Sequence, residues 1–323
     1  MLILAIDTSG GQGSVALLRA PDLQTTALRE EPPGQLRKDA AESLSPVLRD
    51  ALPADLRTTD LPEESRKDGS RVPGLQSPAL PEELRDPAAE LTTLELASLS
   101  GRHYSELLVS TIAGLLQRHG LSRSAIGLIA VASGPGSFTG LRVAIATTKG
   151  LAEPFATPVV AVSVLEAVAA AAARGPSGPY PTTAASASIL AALDAQRSEI
   201  FYGHYLLDRA APQPARCLRE GISSFADFLA LRAFSDPRPA VFTPDEALAG
   251  RLRQAGVDTH LLTRPSAPDY ARIAYAKFLA GLRADLLTLD ANYLRRSDAE
   301  IFAQPKSGTP ASTPARATPA RKP

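Results

Sequence analysis

Leu2-Ile-Leu-Ala-Ile-Asp7 and Ile189-Leu-Ala-Ala-Leu-Asp194 are the two stretches that decide the fold. Each is a short apolar run closed by an aspartate. A run of this length, apolar at every position, predicts a strand buried on both faces. After Asp7 comes turn chemistry, Thr8-Ser-Gly-Gly-Gln-Gly13, and then Ser14-Val-Ala-Leu-Leu18, which predicts a returning strand. After Asp194 the turn is Ala195-Gln-Arg-Ser198, and Glu199 to Leu206 returns. Two strand–aspartate–turn–strand units in one chain predict an internal duplication.

Outward from the first hairpin, residues Arg29 to Glu90 change character: nine prolines fall there, with dense charge, and no periodic stripe survives that density. The segment echoes itself, Ala51-Leu-Pro-Ala-Asp-Leu-Arg57 against Ala79-Leu-Pro-Glu-Glu-Leu-Arg85, and reads as a low-complexity, mostly disordered insertion. From Leu91 the pattern returns. A strand is predicted over Thr92–Ala97, and then a helix to about His119 whose stripe is Leu108, Ile112, Leu115 and Leu116, with Gly120 ending it. Ile126 to Ala132 predicts another buried strand, running through Ser133-Gly-Pro-Gly-Ser-Phe-Thr-Gly140 into a helix over Leu141–Ala152. This order predicts an α/β class with mixed sheets, and the duplication matches the way actin-like (sugar kinase, Hsp70, actin) ATPases are built. The expected organisation is a domain over residues 1–155 carrying the 29–90 insertion, a hinge at Pro154–Pro158, a second domain over 156–303, and a disordered Pro/Ala/Thr-rich tail over 304–323.

Lys plus Arg and Asp plus Glu are both 34, so charge alone makes no case for nucleic-acid binding. Cys217 is the single cysteine, which excludes an intrachain disulfide framework and a cysteine zinc site and suits a reducing compartment. It falls in a Pro/Arg-rich stretch that reads as a loop with an inert thiol. The N-terminus has no basic lead and no cleavage site, and no apolar run is long enough to span a membrane, so a cytoplasmic location is expected.

The loop Ser133–Gly140 carries the sharpest local chemistry. A strand, a glycine loop and a helix N-terminus together cradle anions, because exposed N–H groups and the helix dipole point at the ligand. Gly134, Gly136 and Ser137 are then the candidate binding residues, with Asp7 holding a hydrated metal–nucleotide. The plainer alternative is a tight turn that packs the helix on the sheet, with Asp7 bonding the turn amides near Thr8, Ser9 or Gly10. Asp194 carries the same ambiguity, with Arg197 and Glu199 beside it. His103 stands at a helix start but is followed one turn later by Leu107, so a helical metal pair is absent. His119, His204 and His260 have no ligand-like spacing. No catalytic residue, metal site or cofactor is expected.

Five motifs in order, Leu2-Ile-Leu-Ala-Ile-Asp-Thr-Ser9, His103-Tyr-Ser-Glu106, Ser133-Gly-Pro-Gly-Ser-Phe-Thr-Gly-Leu-Arg142, Leu193-Asp-Ala-Gln-Arg197 and Asn292-Tyr-Leu-Arg295, resemble the TsaB (YeaZ) family. The resemblance implies two actin-like domains and a subunit that lacks catalysis of its own. It implies pairing with a catalytic paralogue, TsaD, which binds metal through a histidine pair and transfers threonylcarbamoyl to adenosine 37 of tRNA. A small ATPase, TsaE, would join the pair, and tRNA would be met through the complex. A homodimer is possible for the chain alone. In the family, two helices from each partner pack as a bundle. Carried onto this chain, they would present Leu108, Ile112 and Leu115 from the first helix and Gly140, Leu141, Ala144 and Thr148 from the second. The alternative is that both stripes cover their own sheet. Two rival functions remain: an ATP-binding kinase of the same fold, kept open by the hairpin tip Gly10-Gly-Gln-Gly13, and a metallopeptidase, for which ligands are lacking. The long insertion and the tail depart from the family pattern.

Overall fold

The computed structural model describes residues 1–21, 90–100, 103–174, 187–207, 215–233 and 238–294. By its contacts the chain divides into one unit of Met1–Asp22 with Asp86–Pro323 and a second of Leu23–Arg85. The second unit lies outside the described residues, as do the 175–179 loop and the 304–323 tail.

Strand β1 (Leu2–Asp7) is buried at every position because it lies at the centre of a five-stranded sheet. It pairs antiparallel with β2 (Gln12–Arg19), which pairs antiparallel with β3 (Thr92–Ser100). On its other side β4 (Ile126–Gly134) and then β5 (Val159–Ser163) run parallel. Helix α1 (Tyr104–Arg118) links β3 to β4, and α2 (Phe138–Ala152) links β4 to β5. Both pack on one face of the sheet, over Leu4, Ile6, Val15 and Leu17.

The second sheet repeats this topology. Strands β6 (Ala187–Asp194), β7 (Glu199–Leu207) and β8 (Ala215–Ser224) are antiparallel, while β9 (Ala240–Thr243) and β10 (Thr259–Leu261) run parallel on the other side of β6. Helix α4 (Phe225–Ala233) follows β8 and α5 (Glu246–Gln254) follows β9, the same places that α1 and α2 hold in the first half. The expected duplication and the two-domain, mixed-sheet class are both present.

The last helix of each half crosses over. Helix α3 (Val164–Arg174) leaves the first sheet and covers β6, β7 and β8, while α6 (Ala267–Leu279) leaves the second sheet and covers β1, β2, β4 and β5. One continuous core results, holding Ile3, Ala5 and Leu18 of the first sheet, Ile189 and Ala191 of the second, and the alanine side of both helices. Helix α3 is alanine-rich because it is buried nearly all round, and small side chains allow close approach on several sides. Lys277 Nζ and Glu166 Oε2, 2.5 Å apart, tie α6 to α3 inside this layer. Burial pushes the Glu166 carboxyl above its ordinary value even though the Lys277 charge pulls it down.

Three expectations are corrected. The domain boundary placed at 155 falls after Ser163, because Val159–Ser163 is still a strand of the first sheet. After α6 the chain also returns to the first half: Ala284 N–H donates to Val159 O (2.8 Å), and Leu289 and Ala291 are buried in its outer core. Cys217 lies on β8, the sheet edge, and not in a loop. Desolvation of its sulfur, then the carboxylates of Glu220 and Glu166, push its thiol above the ordinary value, which disfavours the nucleophilic thiolate.

Candidate functional site

The two hairpin turns, the two strand-to-helix loops and the returning C-terminal segment meet in a cleft of about 1120 Å³. Its residues come from Ser9–Gly11, Pro135–Leu141, Leu193–Arg197, Asp245, Arg264 and Asn292–Leu294. Of the residues the sequence singles out for binding, Gly136 and Ser137 line it. Gly134 and Asp7 are buried behind it.

The loop after β4 is shaped by contact with the first hairpin. Gly134 adopts φ +112°, a conformation that favours glycine. A Cβ on Gly136 would stand 2.2 Å from Ser9 O, and one on Gly140 would stand 2.0 Å from Thr8 O, so both positions exclude any side chain. The Ser137 N–H donates to Ser9 O (2.7 Å), and the Thr8 hydroxyl donates to Gly140 O (2.7 Å). Ser137 caps α2, its Oγ accepting from Gly140 N–H at 3.3 Å. The donors that an anion would use are thus spent in part on the chain's own hairpin. The loop thereby packs α2 against the first hairpin.

Asp7 follows the same logic. Its Oδ1 accepts from Ser9 N–H (2.9 Å) and Ser9 Oγ (2.7 Å), and it is 2% exposed. Burial raises its pKa, against the lowering effects of those hydrogen bonds and of Arg264. Tyr104, of the His103–Glu106 motif, pins the hairpin tip by donating from its hydroxyl to Gly10 O (2.7 Å). Neither Tyr104 nor Arg264 was singled out from sequence. Arg264 reaches over Gly10 and pairs with Asp245 Oδ1 (3.3 Å), whose Oδ2 accepts from Asp194 N–H (2.8 Å).

The second turn is the strained one. Gln196, Arg197 and Ser198 take φ values of 65°, 52° and 62°, three left-handed non-glycine residues in a row. Each costs on the order of 1–2 kcal/mol. Asp194 Oδ1, accepting from Gln196 N–H (2.9 Å), and Ser198 O, accepting from Phe225 N–H (3.0 Å), help hold the turn.

The histidines have local partners. His103 lies 3.7 Å from Glu106, His119 Nε2 is 2.9 Å from Glu95, His204 Nε2 is 2.6 Å from Ser188 Oγ, and His260 stacks on Phe242. Among the described residues no three His, Cys, Asp or Glu side chains gather as a metal cluster.

The helix face proposed for pairing needs a correction. Leu108, Ile112, Leu115, Leu141, Ala144 and Thr148 are at most 2% exposed, and Gly140 is buried. They cover their own sheet because the larger apolar stripe of a surface helix turns inward. What faces outward are the two flanks of α1: Val109, on the α2 side, is 58% exposed, and Leu107, on the other, 40%. A groove of about 480 Å³ runs between α1 and α2, lined mainly by Val109, Ile112, Ala113, Leu116, Leu121 and Leu151, with Gln117, Arg123 and Thr147 as its polar members.

Comparison with known proteins adds to this geometry. The family model described as TsaD, tRNA N6-adenosine threonylcarbamoyltransferase, matches residues 96–248, from β3 into α5. Uncharacterized proteins of Mycobacterium tuberculosis and Mycobacterium bovis are 26% identical over 209 residues, 65% of this chain and 83% of theirs. Two solved structures from Pseudomonas aeruginosa share the fold at 21% identity, covering 91% of this chain and 99% of theirs. One is YeaZ, with a TM-score of 0.53; the other, described as an uncharacterized protein similar to peptidase YEAZ, scores 0.52. The likeness to the two Pseudomonas structures is one of fold, and the matched family model spans just under half of the chain. The two-sheet fold described above is the one these structures share. Among the described residues no helix is long and apolar enough to cross a membrane.

Proposed function

We propose that the chain is a non-catalytic subunit of the tRNA threonylcarbamoyladenosine system, acting in the cytoplasm as the pairing partner of a TsaD-type transferase. A TsaE-type ATPase joins the pair, and tRNA is met through the complex. In the absence of the transferase the same face serves a homodimer. The observation that carries the reading is the α1–α2 groove with Val109 exposed on its wall. An exposed apolar groove between two well-formed helices suits a helical partner of matching apolar face, through helix-in-groove packing. The groove, which keeps Ile112, replaces Leu108, Leu115, Gly140, Leu141, Ala144 and Thr148 as the proposed contact surface.

Two observations weigh against the rival readings. An ATP-dependent kinase of this fold needs a phosphate cradle, yet Ser137 N–H is spent on Ser9 O and Asp7 is enclosed with Ser9. A metallopeptidase needs a ligand set, yet His103 is paired with Glu106 and followed one turn later by Leu107. The test is threonylcarbamoyl transfer to tRNA with the adenylate donor. The chain alone gives no turnover, and adding it to the transferase raises the rate. Robust turnover by the chain alone overturns the non-catalytic reading.

A further inference from the structure

At the mouth of the cleft three side chains from two distant parts of the sequence form one cluster, Phe138 and Tyr293 lining the cleft and Arg142 in contact with both. Phe138 opens α2 and Arg142 follows one turn later on the same face. The C-terminal return brings Tyr293 against both. The Arg142 guanidinium lies 3.7 Å from the centre of the Phe138 ring, and its Nε donates to the Tyr293 hydroxyl at 2.9 Å. The two rings are 5.3 Å apart and tilted by 45°. Phe138 is 45% exposed and Tyr293 37%, so a ligand can reach both rings. The terminal nitrogens of Arg142 donate to no acceptor among the described residues.

Each part of the cluster has a chemical counterpart in one ligand. Exposed aromatic faces hold unstacked bases, and a pinned guanidinium with free terminal N–H groups takes a phosphate or a base edge. Pinning matters because the arginine is held in position before any ligand arrives. The cleft behind the cluster has room for a nucleotide. We propose that Phe138, Arg142 and Tyr293 form a binding site for one unstacked nucleotide, its base stacked on the exposed rings and its phosphate or base edge met by Arg142. The inference rests on the RNA role proposed above, so the nucleotide of an RNA strand is the expected form. Groove residues Thr147 and Leu151 lie toward the other end of α2, so the site leaves the pairing face free.

The test measures binding of the full chain to a fluorescein-labelled single-stranded oligoribonucleotide and, separately, to AMP. The variants are Tyr293→Ala, Tyr293→Phe, Phe138→Ala and Arg142→Gln. Thermal melting of each checks the fold, and titration with the transferase checks pairing. Tyr293→Ala and Phe138→Ala weaken RNA binding about 5- to 150-fold, the range of one base–aromatic stack. Tyr293→Phe keeps most of the affinity because the ring remains. Arg142→Gln weakens binding and lowers the salt slope by about 0.7, one phosphate contact on a single strand. AMP bound as tightly as RNA, with the same losses, keeps the site and makes a free nucleotide its ligand. No binding of either probe, or RNA binding unchanged in folded variants, overturns the inference while leaving the pairing role intact. Loss of transferase pairing with RNA binding unchanged also overturns it, because the cluster is then a protein contact.

Discussion

Gly140→Ala separates a packing turn from a ligand cradle. The new Cβ would stand 2.0 Å from Thr8 O. Ordinary C···O contacts are about 3.3–3.6 Å, so the loop and hairpin must part by more than about 1 Å. That motion strains the Thr8 Oγ1 to Gly140 O and Ser137 N to Ser9 O bonds, both 2.7 Å. Losing one costs about 0.5–1.5 kcal/mol net, and the overpacking itself costs about 1–3 kcal/mol. Alanine returns about 0.5–1 kcal/mol through helix propensity. The balance is a loss of about 0.5–4 kcal/mol. Urea unfolding followed by far-ultraviolet circular dichroism reads it as a lower midpoint with an unchanged slope. Gly11→Ala is the control: nothing lies within 4 Å of its Cβ position, so its change stays within about 0.5 kcal/mol. If Gly140→Ala matches or exceeds wild-type stability, helix propensity outweighs the contact and the self-filled loop is wrong.

Three further predictions concern other parts of the fold. Ala144→Phe destabilises the chain by at least about 1–3 kcal/mol, because Ala144 is 0% exposed in its own core; a normal melting temperature with lost pairing would restore Ala144 to the interface. Asp7 has a raised folded-state pKa, so its contribution to stability is fully present below the ordinary value of about 3.9 and falls as pH rises through the raised value. The melting temperature of Asp7→Asn, minus that of wild type, therefore grows as pH rises above about 4; a gap that shrinks would show the ionised form to be the favoured one. Arg19 and Thr92 are antiparallel partners, so replacing residues 23–88 by a short turn keeps the hairpin of β2 and β3. Roughly three halvings of loop length favour the short form by about 2 kcal/mol, and a large drop in melting temperature would show that the segment contributes packing.

The central strands were legible because burial on both faces leaves an uninterrupted apolar run, as in Leu2–Ile6 and Ile189–Leu193. Edge strands lack that signature. β8 reads Ala-Arg-Cys-Leu-Arg-Glu, exposed at Arg216 to Arg219, and looks like a loop until β7 pairs with it. β5 has five residues just after a proline, too short to mark the true crossover at Ser163. The glycine loop was legible as a tight turn before a helix. Its role was not, because Gly136 and Gly140 are dictated by Ser9 and Thr8, which are close in space and distant in sequence. Helix stripes were legible too, but periodicity alone does not say which face meets a partner. Leu108 and Ala144 went inward, and Val109 was left outside. Arg264 carried no signal at all, since its place over Gly10 depends on the second half folding beside the first.

The central claim is that this chain pairs with a TsaD-type transferase through the exposed α1–α2 flank. Calorimetric titration of the chain into that transferase tests it most directly, with Val109→Asp as the paired variant. Val109 is 58% exposed, so the substitution leaves the melting temperature close to wild type. The account predicts saturable binding for wild type and a loss of at least about tenfold for Val109→Asp, since a charge is then desolvated in an apolar contact. No heat of binding for the wild-type chain, or equal affinity for the folded variant, would contradict it.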